Sequence, residues 1–223
     1  MAKPASLSIF EKGCTMSIAR HRLLLAAGAL AVVAGAGSAS AAAGGTTGSA
    51  NLQCFSGPTD GTVYGGTCTT TGNKRNGAVL ENDSTNPNGD YSGVYLNKKD
   101  LNGKPLSAIT ALGYTYSGTT AAGPGDLSLN IGVDTSGDGK TDAYAYIDAA
   151  YCSGTAGNVD IIHDTSCGIW FMGSEYGNWA ALVTAFPNAA VDSHSGPFIV
   201  AERTPSEPSA VWTIGNVVMG RAG

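Results

Sequence analysis

Residues 126–133 read Asp-Leu-Ser-Leu-Asn-Ile-Gly-Val, and this stretch decides the fold class. Its apolar side chains occupy every second position: Leu127, Leu129, Ile131 and Val133. Because successive side chains of a β-strand point to opposite faces, the alternation predicts a strand with one buried face and one polar face.

Similar short runs continue on both sides, separated by Gly, Pro and Asn turn signals about every ten residues. They predict further strands at 77–81, 91–96, 107–116, 142–148, 158–163, 167–172, 197–202 and 210–219. The last run is apolar on both sides, so we expect it in the centre of a sheet. A short helix should begin after Asn178, which can cap it, and end at Pro187. The sequence thus predicts an all-β, jelly-roll-like β-sandwich with one short helix.

The segment 134–142, Asp-Thr-Ser-Gly-Asp-Gly-Lys-Thr-Asp, directly follows the first strand and has the spacing of a calcium-binding loop. Calcium takes about six to eight oxygen ligands, and a tight loop can supply them from alternate positions. The predicted ligands are the Asp134, Ser136, Asp138 and Asp142 side chains and the Lys140 carbonyl. Three carboxylates in so short a loop repel one another unless a cation lies between them. The alternative is a solvated hairpin turn, because Asp and Gly favour turns unaided.

At these residues the loop resembles the calcium loops of EF-hand, dockerin and thrombospondin type-3 proteins. It differs from an EF-hand in having Ala145 where the bidentate glutamate stands, and in being flanked by predicted strands. Such a site should be weak, with a dissociation constant of about 10⁻⁴–10⁻³ M.

The order of elements along the chain is similar to that of uncharacterised secreted bacterial β-sandwich proteins. The similarity rests on the strand–Asp loop–strand unit, on Tyr151-Cys152 with Cys167, and on the helix that begins at 178–182. It implies a fold and a location, but no activity.

The first 41 residues have the three parts of a secretory signal peptide. A basic start at 20–22 precedes an apolar run at 23–37, and Ala39-Ser40-Ala41 fits the cleavage site. Met16 is an alternative translation start. The apolar run is shorter than the roughly 20 residues of a membrane span, which argues against an uncleaved anchor.

We therefore expect a secreted chain that has no membrane contact after signal cleavage. It would have a disordered leader at 42–50 and a single β-sandwich domain at 51–223. Without residues 1–41, 8 basic and 16 acidic residues remain. So acidic a chain lacks the basic surface that nucleic-acid binding needs, and we expect no such partner. The low charged fraction, 13%, also excludes a coiled coil and a charge-rich disordered chain.

Four cysteines follow the signal segment: Cys54, Cys68, Cys152 and Cys167. An even number in an exported chain predicts two disulfides. Three pairings are open, and the local one, Cys54–Cys68 with Cys152–Cys167, closes short loops and forms most easily. Zinc is the alternative, but the chain has no Cys-x-x-Cys motif and no suitably spaced histidine.

No catalytic motif stands out. His163 and His194 have Ser and Asp neighbours, but triad members are seldom adjacent in sequence and no Gly-x-Ser-x-Gly motif occurs. Glu175 is the one candidate catalytic carboxylate, because the aromatic residues around it could bind a sugar and raise its pKa. Exposed Tyr or Trp side chains could form a glycan platform, although Tyr114 and Tyr116 share a face with Leu112 and should pack in the core.

The favoured hypothesis is a secreted, non-catalytic, calcium-stabilised β-sandwich module that binds glycan or cell-envelope material, the ligand resting on analogy between folds. The alternatives are a secreted polysaccharide hydrolase with Glu175 as its acid, and a structural or inhibitory extracellular protein. A solvent-facing aromatic row would favour the first, and two carboxylates facing each other in a cleft the second. A smooth surface with one protruding loop would favour the third. The sequence leaves the oligomeric state open.

Overall fold

The alternating strands assemble into two antiparallel sheets. The computed structural model describes residues 46–49, 51–58, 66–72, 76–82, 90–96, 101–152, 157–203 and 207–222. Its strands are β1 Thr46–Ser49, β2 Leu52–Pro58, β3 Thr67–Thr71, β4 Gly77–Asn82, β5 Asp90–Leu96, β6 Ile109–Gly118, β7 Leu127–Asp134, β8 Ala143–Asp148, β9 Asn158–Asp160, β10 Ile169–Phe171, β11 Ser174–Tyr176, β12 Ala190–Val191, β13 Phe198–Arg203 and β14 Ala210–Arg221. The helix α1 spans Trp179–Ala185.

The sheet order is that of a jelly roll. One sheet has the order β3-β4-β14-β6-β9, with β1 also on β14. The other has the order β11-β10-β8-β7-β13-β5-β2, with β12 also on β7. The strands β4-β14-β6-β9 are in one sheet and β5-β13-β7-β8 in the other, so that the chain crosses repeatedly between the sheets as in two Greek keys. The predicted jelly-roll-like sandwich is confirmed, and β14 is central, as its apolar pattern predicts.

The core lies between the sheets and takes one face of each strand. On β7 the predicted apolar face is buried, with Leu129 and Ile131 at 0% exposure. The other face is not solvated as predicted, because Asn130 is only 1% exposed. It lies in register between Phe198 and Tyr146, two large side chains on the adjoining strands.

The helix covers one end of this core. Asn178 caps it by accepting a hydrogen bond from the Ala181 N–H at 2.9 Å, as the sequence predicts. Trp179 and Leu182 are buried, and the ring of Phe186, which ends the helix, packs edge-on against Phe171. Among the described residues no helix is long and apolar enough to cross a membrane.

Both disulfides follow the local pairing, Cys54–Cys68 and Cys152–Cys167. The first joins β2 to β3, and thus one sheet to the other. Two disulfides are typical of proteins that fold in an oxidising compartment.

The predicted signal peptide, residues 1–41, lies outside the described residues. Within the predicted disordered leader, Thr46–Ser49 instead forms β1, paired antiparallel with the last residues of β14. The leader's small and β-branched residues can follow an extended course there, because β14 runs past the end of β4 and leaves backbone groups to pair.

Candidate functional site

The loop between β7 and β8 is closed by two aspartates that bind its backbone. Asp134 accepts hydrogen bonds from the N–H groups of Gly137 and Gly139, at 2.6 and 2.7 Å. Asp142 accepts from the N–H groups of Thr135 and Ser136, at 2.8 and 2.9 Å. Both glycines have φ of +82°, a conformation that L side chains rarely adopt, so the turn needs glycine at these two positions.

These hydrogen bonds favour ionised carboxylates. The pKa of Asp142 is lowered by the Thr135 hydroxyl first and then by the backbone N–H groups. At Asp134 desolvation acts against ionisation, but the Gly139 and Gly137 N–H groups outweigh it and the pKa is lowered there too. Asp134 and Asp142 are therefore both ionised near neutral pH.

The structure brings three of the predicted calcium ligands together. The Ser136 hydroxyl lies 3.2 Å from an oxygen of Asp134 and 3.4 Å from an oxygen of Asp142. Asp138 is instead engaged by the Lys140 N–H at 2.9 Å. In the part of the chain that the structure describes, no three His, Cys, Asp or Glu side chains are grouped closely enough to hold a metal ion. Calcium at this loop stays a prediction.

A second loop, 192–194, fastens the turn from the side. The Ser193 hydroxyl donates to the Gly139 carbonyl at 2.7 Å, and the Asp192 N–H donates to the Gly132 carbonyl at 2.9 Å. Ser193 and Asp192 both contact Nδ1 of His194, at 3.0 and 3.4 Å. A catalytic triad needs the serine and the carboxylate on opposite ring nitrogens. Ser193, Asp192 and His194 do not have that arrangement, and their contacts instead hold the two loops together.

The outer face of the eight-stranded sheet carries a straight row of side chains in register. Neighbours in the row are directly opposite each other in the strand pairing. We call it the aromatic row; it runs Tyr95, Phe198, Asn130, Tyr146, Trp170 and ends at Glu175. Residues paired in this way share one face of a sheet, and the face opposite this row is the core. Tyr95, Tyr146 and Trp170 are 43%, 46% and 42% exposed.

Contacts between rings fix the side chains of the aromatic row. Phe198 contacts the rings of Tyr95 and Tyr144, with centroids 6.0 and 5.8 Å apart, and Phe55 lies 4.5 Å from Tyr95. Tyr144 in turn contacts Tyr146 at 6.3 Å. From Tyr95 to Trp170 the row crosses four strand spacings, about 19 Å. It is an extended, preformed surface of flat rings.

The six-stranded sheet has no such surface among its described residues. Its tyrosines Tyr114 and Tyr116 point inward, where Tyr114 is 1% exposed and Tyr116 packs against Trp212. This confirms the expectation of core packing for the pair. Its exposed large apolar side chains are Val211 and Val218. The two sheets thus differ in their exposed aromatic side chains. We call the outer face of the eight-stranded sheet, which carries the row, the aromatic face.

Carboxylates lie on the aromatic face at separated points. Glu175, the candidate acid, is exposed and opposite Trp170. Along the sheet order, Glu202 stands four strand spacings away, about 19 Å. Asp148 lies two strands over and two residues along, about 12 Å, and its carboxylate accepts from the N–H groups of Ala150 and Gly125. Glu175 and Glu202 are thus too far apart for a glycosidase pair, whose carboxyl groups lie roughly 5–9.5 Å from each other.

Glu202 is the acidic residue that sequence reasoning missed. Desolvation raises the pKa of Glu202; the pKa of Tyr146 is raised first by desolvation and then by the charge of Glu202. Desolvation likewise raises the pKa of Asp148. The available signal was the alternation of β13, in which Phe198, Val200 and Glu202 share one face.

Comparisons with protein-family models, with curated proteins and with solved structures find no match to this chain. The resemblance of the β7–β8 loop to known calcium loops therefore stays a prediction. The functional interpretation of the chain rests on the geometry of the β7–β8 loop and of the aromatic row.

Proposed function

We propose that this chain is a secreted, non-catalytic module that binds glycan on the outer face of the eight-stranded sheet. The observation that carries the proposal is the aromatic row, with three exposed rings aligned across the sheet. Sugar rings have apolar C–H faces that stack on Tyr and Trp, while the hydroxyl and indole N–H groups of these side chains remain hydrated. A flat row about 19 Å long suits several sugar units of an extended polysaccharide.

The charges on this face favour a glycan over a second copy of the chain. Glu175, Glu202 and Asp148 lie on or beside the platform, and none of the strand residues described on this face is Lys or Arg. A symmetric dimer through the same face would bring like charges together without counter-charges, which is costly when they are desolvated. A glycan carries hydroxyl donors that can pair with the carboxylates.

Binding to insoluble polysaccharides tests the proposal. The purified protein should be depleted from solution by at least one of cellulose, chitin, chitosan, xylan and peptidoglycan, in a saturable manner. Sedimentation velocity should show no self-association. Failure to bind any of these polymers above the level of an unrelated acidic protein would contradict the proposal. So would a dimer that dissociates when Trp170 is replaced.

We further propose that calcium stabilises the β7–β8 loop. The support is the convergence of Asp134, Ser136 and Asp142, two of which are ionised carboxylates near neutral pH. Each carboxylate offers about four lone-pair sites, so an ion can bind while the backbone hydrogen bonds persist. The ion would offset the repulsion between the two charges.

Thermal unfolding in calcium and in EGTA tests this second proposal. A hundredfold excess over the dissociation constant stabilises a binding protein by about 2.7 kcal/mol, a rise in Tm of about 5–10 °C for a chain of this size. Asp142→Asn should lose most of that response, because it removes one of the two converging carboxylate charges. The amide oxygen can still accept from the Thr135 and Ser136 N–H groups, so the variant should keep its fold in EGTA. An equal calcium response in parent and variant, or none in the parent, would contradict a calcium site here.

A further inference from the structure

One end of the aromatic row pairs an aromatic ring with a carboxylate. Glu175 on β11 lies directly opposite Trp170 on β10, and Tyr146 is the next neighbour along the row. Directly opposed residues of an antiparallel pair have Cβ atoms about 5 Å apart on the same face. Both Trp170 and Glu175 are exposed, so a ligand can reach the ring face and the carboxylate together.

The charged groups of this face are acidic. Glu175 and Glu202 present carboxylates, and none of the strand residues described on this face is Lys or Arg. Positive charge on a ligand therefore suits this face better than negative charge.

Aromatic rings and carboxylates are together the usual recognition chemistry for an ammonium group. The ring face attracts a cation through its quadrupole, by about 0.5–1 kcal/mol at an exposed site. The carboxylate adds a charge-assisted hydrogen bond, which is stronger than a neutral one. The wider charge of the protein acts in the same direction, since acidic residues outnumber basic ones 16 to 8 beyond residue 41.

We propose that the glycan bound here carries free amino groups, as in a glucosamine polymer, and that its ammonium groups bind between Trp170 and Glu175. This inference rests on the proposed glycan-binding function and adds the class of glycan. It excludes polymers of uronic acids, whose carboxylates would be repelled by Glu175 and Glu202. Sugar rings without charge stack on Tyr95 and Tyr146, while the charged end of the row selects for the amine.

Calorimetric titration with glucosamine oligomers and with N-acetylglucosamine oligomers of equal length tests the inference. The two ligands share the ring skeleton and differ in charge. The parent should bind the glucosamine oligomer about three- to tenfold more tightly, and added salt should remove most of the difference.

Glu175→Gln separates the carboxylate from the platform. It should remove most of the difference in affinity between glucosamine and acetylated oligomers, with the Trp170 ring retaining the remainder, and leave the affinity for the acetylated ones unchanged. Glu81→Gln is the matched control, because Glu81 lies on β4 of the other sheet and accepts a hydrogen bond from Thr67. It should change neither affinity.

The outcomes distinguish a failure of the amine preference from a failure of the proposed glycan binding. Equal binding of both oligomers by the parent, lost in Trp170→Ala, would overturn the amine preference and leave glycan binding standing. An equal loss of both ligands in Glu175→Gln would overturn the preference as well. Failure of the parent to bind either oligomer or any polysaccharide would overturn both proposals.

Discussion

Replacing Trp170 by Ala is expected to weaken glycan binding by about ten- to fiftyfold. The Trp170 side chain is 42% exposed and lies in the row between Tyr146 and Glu175. An aromatic side chain of this size presents about 250 Å² in all, so a stacked sugar can cover on the order of 100 Å² of it. At about 25 cal/mol per Å² that burial is worth about 2.5 kcal/mol at most. A tenfold change in affinity corresponds to about 1.4 kcal/mol.

Two further variants make the test specific. Trp170→Phe keeps a smaller aromatic face and should lose affinity by an intermediate amount. Val211→Ala removes an exposed apolar side chain from the other sheet and should bind as the parent does. Because more than half of Trp170 is covered by its neighbours, Trp170→Ala should lower the Tm by several degrees, and binding is compared at a temperature where both proteins are folded. Unchanged binding in Trp170→Ala would show that the aromatic row does not bind the glycan.

Replacing Arg203 by Met is expected to lower the free energy of unfolding by about 3–5 kcal/mol. The guanidinium lies between the sheets, 3.2 Å from Asp126, and the two side chains are 4% and 7% exposed. It also donates to the Thr120 hydroxyl at 2.9 Å and lies 5.9 Å from the Trp212 ring centroid. Met fills a similar volume but leaves the buried Asp126 charge without a counter-charge.

A double variant distinguishes the stability lost because the Asp126 charge has no counter-charge from the stability lost with packing. Asp126→Asn combined with Arg203→Met removes both charges, and the amide oxygen can still accept from the Gly123 N–H. Urea unfolding should show the double variant recovering at least half of the loss. A single variant within about 1 kcal/mol of the parent would mean that the pair acts like an exposed one. A double variant no more stable than Arg203→Met would assign the loss to packing.

Much of the fold could be predicted because its determinants are local. The alternation in 126–133 identifies β7, and an apolar pattern on both sides identifies β14 as central. Asn178 and Pro187 bracket the helix through the chemistry of its ends. The disulfide pairing follows from two short loops, which cost the least entropy to close.

The proposed binding face could not be predicted from the sequence because it depends on strand register. Tyr95, Tyr146 and Trp170 stand on three separate strands, and no local spacing indicates that they align. The same register buries Asn130, whose position in an alternating strand predicts exposure. Sequence reasoning placed Glu175 near Trp170 and other aromatic residues, but the direct pairing of Glu175 with Trp170 is evident only from the hairpin of β10 and β11.

Acrylamide quenching of tryptophan fluorescence tests the central claim most directly. Trp170 is the exposed one of the three tryptophans of the chain, since Trp179 is 5% and Trp212 0% exposed. Quenching therefore reports on the aromatic row. Soluble fragments of a polysaccharide that binds the protein should protect Trp170 from the quencher in a saturable manner, with the dissociation constant found by calorimetry. Saturable binding with no change in quenching would place the glycan elsewhere and contradict the account.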